Sequence, residues 1–142
     1  DLQQAWLRER RPPRDTADAL YETFLPLNSR FKEIVFRWQM KDASTPNDHA
    51  DSQYDAMVLA QLAALDADIG PVVTRVVGLA PRLEPYAVRF QDAMRSIAGG
   101  DRRFFTSPAV DSYHSIWFEF HEELIESCGR TRAEEAAAGR AA

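Results

Sequence analysis

The sequence holds one cysteine, Cys128, among 142 residues. An internal disulfide is therefore excluded, which agrees with a reducing compartment, and no thiolate pair is available to a metal. A Gly-rich phosphate loop, a Gly-x-Ser-x-Gly elbow and a His-Glu-x-x-His motif are also missing, so three large enzyme classes have no signature here. Excess basic charge is missing too: 17 Lys and Arg stand against 22 Asp and Glu, a net charge of −5. Phosphate neutralisation needs a concentrated Lys/Arg surface, so direct nucleic-acid binding by this chain alone is not expected. The local run Arg8, Arg10, Arg11 and Arg14 flanks Pro12–Pro13 and reads as a linker. Charges interrupt the apolar stretches before the roughly eighteen residues needed to cross a bilayer, and no signal-peptide series opens the chain. A cytoplasmic location away from membranes is the expectation. The chain opens on Asp1 without an initiator Met, as a piece of a longer protein would.

What is present is an ordinary globular composition, 45% hydrophobic and 27% charged, without an internal repeat. A chain of this length supports one core. Residues 1–14 read as a linker with a short helix over Asp1–Arg11 that Pro12–Pro13 stop. Asp15 or Thr16 can cap a second helix, where Leu20, Phe24, Leu27, Phe31, Ile34 and Trp38 recur at alternating spacings of three and four, with a kink expected at Pro26. The polar stretch Asp42–Ala50 reads as a loop, and Asp51 or Ser52 as the cap of a third helix with Tyr54, Val58, Leu62, Leu65, Ile69, Val72 and Val76 inward. Gly70–Pro71 should bend or divide it. Pro81 and Pro85 bracket the start of a fourth helix, with Tyr86, Phe90, Met94 and Ile97 inward and Gly99–Gly100 at its end. Ser107–Pro108 suit the cap and first turn of a last helix reaching about Cys128, before Gly129; there Cys128 is a small core residue. The expected fold is all-α, an antiparallel four-helix-type bundle over 15–129 with a short extra N-terminal helix and a flexible tail over 130–142.

The last helix carries the unusual polar pattern. Ser112, Ser115, Glu119, Glu122 and Glu126 form one stripe, and Val110, His114, Trp117, His121, Leu124 and Cys128 the opposite one, which places two histidines on the apolar side. They lie two turns apart, roughly 10.5 Å along the axis. A buried imidazole needs partners for both nitrogens, and Asp111, Gln39, Asn28, Tyr54, Asp55, Tyr86 and Arg89 are the candidates. Two readings follow: histidines bonded at helix contacts inside the core, or histidines lining a polar cavity for a small ligand. The third histidine, His49, sits in the loop beside Asn47, Asp48 and Asp51. A metal site of His49, Asp111 and His114 is a further possibility, because imidazole and carboxylate suit zinc, iron and nickel. The seven-residue spacing of His114 and His121 hardly allows both to reach one ion. Trp117, Phe118 and Phe120, with Trp38, read as core aromatics.

The segments Trp38-Gln39, Pro46-Asn47-Asp48-His49, Tyr54-Asp55-Ala56, Asp111-Ser112-Tyr113-His114, Trp117-Phe118-Glu119 and His121-Glu122 resemble a helical domain of actinobacterial proteins. That domain often follows a winged-helix segment in transcriptional regulators of the multiple-antibiotic-resistance regulator type, and the similarity runs from about Leu20 to Arg132. The resemblance implies that a module outside this chain contacts DNA, while the bundle binds an effector or a second copy of itself. The leading expectation is a non-catalytic sensor domain without a cofactor, in a homodimer, with Trp38, Gln39, His49, Tyr54, Asp111, Tyr113, His114 and His121 lining the effector cavity. The alternatives are a metal-dependent hydrolase or transferase on a helical bundle, and a dimerisation module.

Overall fold

The structure, a computed structural model, describes residues 14–127; the short leading helix, Cys128, Gly129 and the 130–142 tail lie outside the described residues. The fold is all-α. Four long helices, α1 (Arg14–Gln39), α2 (Ser52–Leu79), α3 (Glu84–Ala98) and α5 (Tyr113–Ser127), pack as a bundle, with a 3-10 turn at Pro81–Leu83 and a single-turn α4 (Arg103–Thr106). No strand occurs among the described residues, only an isolated bridge between Met40 and Pro46.

The α1 seam buries Ala17, Leu20, Tyr21, Phe24, Asn28, Phe31, Ile34 and Trp38, a heptad-like recurrence that runs the length of the helix. Leu27 is only partly covered, and Tyr21 takes a core position beside Leu20. α1 lies along α2 and also touches α5, while α5 packs on α3 and α4 as well. Pro26 and Pro71 each stand inside a continuous helix, so Gly70–Pro71 does not divide α2. Both prolines are exposed, as are Glu22 and Ala67 four residues before them, where water can take the carbonyl that loses its donor.

Asp51 caps α2 as expected, its side chain accepting from the Gln53 and Tyr54 amides. By length and composition α2 is apolar enough to cross a membrane, despite Asp66 and Asp68, because Ala, Val and Leu fill the window around them. Its Val58, Leu62, Leu65, Ile69, Val72, Val73 and Val76 are all buried inside the bundle. α3 ends at Gly99, and Gly100 follows with φ +100°, a left-handed turn that glycine adopts without strain.

The last helix departs from expectation at its start. Residues 108–111 are turn, so Val110 is not helical, and Ser107 is no cap for a long helix; its Oγ accepts from the Ala109 amide instead. Ser112 is the residue that caps α5, its Oγ accepting from the Ser115 amide at 3.2 Å, and it is fully buried rather than part of a solvated stripe. From that start, Tyr113, Ile116, Trp117, Phe120, His121, Leu124 and Ile125 face the core. The centre of the buried face thus lies to one side of the stripe read from sequence, which turns His114 out to an exposed edge while His121 stays buried.

Candidate functional site

Between α1 and α5 runs a groove of about 140 Å³, lined by Asn28, Phe31, Lys32 and Val35 from one helix and His114, Trp117, Phe118 and His121 from the other. Its floor is rigid. The Phe31 and Trp117 rings stack at 4.5 Å, and the Trp117 indole N–H donates to Asn28 Oδ1 at 2.9 Å. His121 sits against Phe24 with ring centres 5.0 Å apart, and its Nε2 lies 3.2 Å from the Tyr21 hydroxyl. His114 stacks on Phe31 at 5.9 Å. Lys32 and His114 face each other across the groove without a hydrogen bond to any described residue.

Desolvation against that wall lowers the His114 pKa below its ordinary 6.5. A lowered histidine pKa means that the unfolded chain takes up its proton first as pH falls. The contribution of His114 to stability is therefore level above about pH 6.5 and declines as pH falls from there through the folded-state value. His114→Gln is expected to flatten that decline, measured as urea midpoints at about pH 7.5 and about pH 5.5.

A second polar assembly forms where α1 meets the following loop. The Met40–Pro46 bridge, with Lys41 N–H donating to Thr45 O, folds the loop back so that Asn47 N–H reaches Gln39 O at 2.9 Å. Buried Asn47 then ties three elements together: its Nδ2 donates to Trp38 O and to Asp55 Oδ1, and its Oδ1 accepts from the His49 amide. His49 is held in the left-handed region, φ +62°, uncommon for a residue with a Cβ. Its Nδ1 lies 2.9 Å from Asp55 Oδ2, which also accepts from Arg102 at 3.0 Å. The Asp55 side chain is fully buried, whereas His49 and Arg102 are 40% and 46% exposed. Burial pushes the Asp55 pKa up, but the hydrogen bonds from Asn47 and His49 and the charges of His49 and Arg102 outweigh it and hold the carboxyl below its ordinary 3.8. Trp38 lies beneath, 4.5 Å from the His49 ring and 5.8 Å from the Arg102 guanidinium.

The residues expected to share one cavity are thus distributed over four places. His114 and His121 line the groove. Trp38 and His49 belong to the loop assembly, with Gln39 contributing its backbone carbonyl and Tyr54 directing its hydroxyl at the Arg37 and Met40 carbonyls at the end of α1. Asp111 pairs with Arg89 in a two-pronged contact at 2.9 and 2.7 Å, which lowers the Asp111 pKa and keeps it from serving His114. Tyr113 is a core residue whose hydroxyl donates to Asp66 at 2.9 Å; burial raises the pKa of both. Among the described residues no group of three or more His, Cys, Asp or Glu is gathered to hold a metal ion, so His49, Asp111 and His114 do not form the site that sequence allowed.

Sequence reading missed Tyr21, Lys32 and Arg102. Tyr21 shares the α1 seam with Phe24 and was visible in principle; Lys32 and Arg102 carry no local mark, because each matters through a residue far along the chain. The fold and groove define the molecule as a helical bundle with an open depression between two of its long helices. Comparisons with family models, curated proteins and solved structures find no match.

Proposed function

We propose that this chain is a regulatory domain that takes a small amphipathic organic molecule into the α1–α5 groove and reports its occupancy to a DNA-binding module of the same regulator. The observation that carries this reading is the groove itself: an apolar bed of Phe31, Val35, Trp117 and Phe118 with two uncommitted polar groups, Lys32 and His114, on opposite walls. A few convergent polar groups over an apolar lining are the general composition of ligand sites. A volume of about 140 Å³ lies below the roughly 300–1,000 Å³ of drug-sized pockets, so the ligand is a small metabolite.

Because the groove walls belong to two helices, a ligand bridging them favours whichever arrangement sets α1 and α5 at the right distance. That differential affinity is the only quantity through which it can act on a distant module. The net charge of −5 supports the division of labour, since DNA binding needs a concentration of basic residues and acidic ones predominate here. The resemblance noted in the sequence supports the regulator assignment and the binding of an effector or of a second copy of the chain.

The test is a thermal-shift screen of small organic acids, amines and amides against the whole chain, beside His114→Ala and Lys32→Ala. A binder at a hundred times its dissociation constant stabilises the native state by about 2.7 kcal/mol, a shift of several degrees. The expected result is at least one such compound whose shift shrinks in both variants; shifts that are indifferent to both substitutions place the ligand elsewhere and defeat the proposal.

A further inference from the structure

The loop assembly has a geometry that fold maintenance alone does not use. Asp55 commits His49 through Nδ1, so the Nε2 atom is the ring nitrogen left over, and it belongs to a side chain 40% exposed. Arg102 spends one N–H on the same Asp55 oxygen and keeps its other donors, on a side chain 46% exposed. Because both groups bond Oδ2, at 2.9 and 3.0 Å, the imidazole and the guanidinium converge on one carboxylate oxygen. Trp38 supports both from below, and the left-handed backbone of His49, secured by Asn47, fixes the direction in which the ring looks. Non-glycine residues in that region persist where the surroundings over-determine them, and they concentrate at ligand sites.

We propose that His49 and Arg102 form a second binding site, for a small phosphate monoester or free phosphate. Phosphate fits this pair. With its own proton on Nδ1 toward Asp55, the imidazole accepts the P–O–H proton of the phosphate through Nε2, while Arg102 donates to a second phosphate oxygen. The neighbouring carboxylates Asp48 and Asp51 are turned to backbone amides at the start of α2, accepting from Ala50, Gln53 and Tyr54. Asp55 supplies the counter-charge from beneath and sets the tautomer, as a carboxylate behind a functional imidazole does.

The experiment follows the His49 imidazole signals of the whole chain by ¹H–¹⁵N NMR while inorganic phosphate, glycerol phosphate or, as control, sulfate is added at constant ionic strength. Saturable shifts of His49 with a millimolar or tighter dissociation constant are expected for phosphate, with sulfate at least about tenfold weaker because it carries no proton at neutral pH to share. Glycerol phosphate binding tighter than the free ion identifies an ester as the ligand; equal affinities identify free phosphate. Arg102→Gln, checked for a native circular-dichroism spectrum, is expected to weaken binding by about tenfold or more. Lys32→Ala leaves it unchanged, which separates this site from the α1–α5 groove. Unsaturable shifts, sulfate equal to phosphate, or an Arg102→Gln protein that binds as tightly overturn the proposal.

Discussion

Asp55→Ala is expected to destabilise the fold by about 3 kcal/mol. The carboxylate is fully buried and receives donors from the loop after α1, from α2's own approach segment and from the stretch before α4. Removing it strands Asn47 Nδ2, itself buried, with Trp38 O as its remaining strong partner. An unmet buried donor costs about 1–3 kcal/mol. His49 and Arg102 are nearly half exposed and recover water, so the full 3–5 kcal/mol typical of a broken buried ion pair is discounted. Urea unfolding of Asp55→Ala, His49→Ala and the double variant measures the coupling directly, and additive losses would show that the pair is not a unit. A separate check uses acid. The Asp55 pKa is depressed, so its stabilising contribution is complete above the ordinary 3.8 and disappears as pH falls from there through the folded-state value. Asp55→Asn should remove that part of the acid transition.

Trp117→Ala is expected to cost more, about 4 kcal/mol. The side chain is 2% exposed, stacks on Phe31 at 4.5 Å, packs at a tilt against Phe24 at 5.4 Å, and meets Phe90 edge-on at 6.2 Å. Its loss opens a cavity that three rings already locked by neighbours cannot fill, and leaves Asn28 Oδ1 buried without the indole donor. Against a domain stability of about 5–15 kcal/mol this is a large fraction, and the midpoint of thermal unfolding should drop by about 10–20 °C. Trp117→Phe keeps most of the ring volume and loses the hydrogen bond, so it should fall by about a third of that. A Phe variant as damaged as the Ala variant would mean that the Asn28 contact, and not packing, holds the groove floor.

The seams of α1, α2 and α3 were legible because their large apolar residues recur at helical spacing and each helix buries one narrow face. Phe24, Phe31, Leu62, Leu65, Phe90 and Ile97 are core residues in the structure as in the sequence reading. Periodicity served α5 less well. A helix that packs against three neighbours buries a broad arc, and in such an arc polar residues near one edge cannot be sorted from sequence into buried His121 and exposed His114. The break at 107–112 was hidden by Ser107–Pro108, whose residue types suit a helix start but equally suit the turn they make. His49 drew notice as a loop histidine, and Asp55 as a carboxylate able to serve a histidine, yet their meeting with Arg102 joins positions 47 residues apart. No local rule links residues so far separated.

The same distance in sequence governs how the bundle is born. Tyr21 meets His121 across 100 residues and Asn28 meets Trp117 across 89. At about 5–20 residues per second, translation leaves the aromatic stripe of α1 without its α5 cover for roughly 5–20 s after Phe24 has been made. During that interval α2 can shield one flank of the nascent α1, but Phe24 and Phe31 stay open to any chaperone or neighbouring chain. Ribosome stalling or early termination before α5 therefore yields a sticky intermediate with the aromatic stripe of α1 uncovered, and the arrival of α5 is the event that seals it.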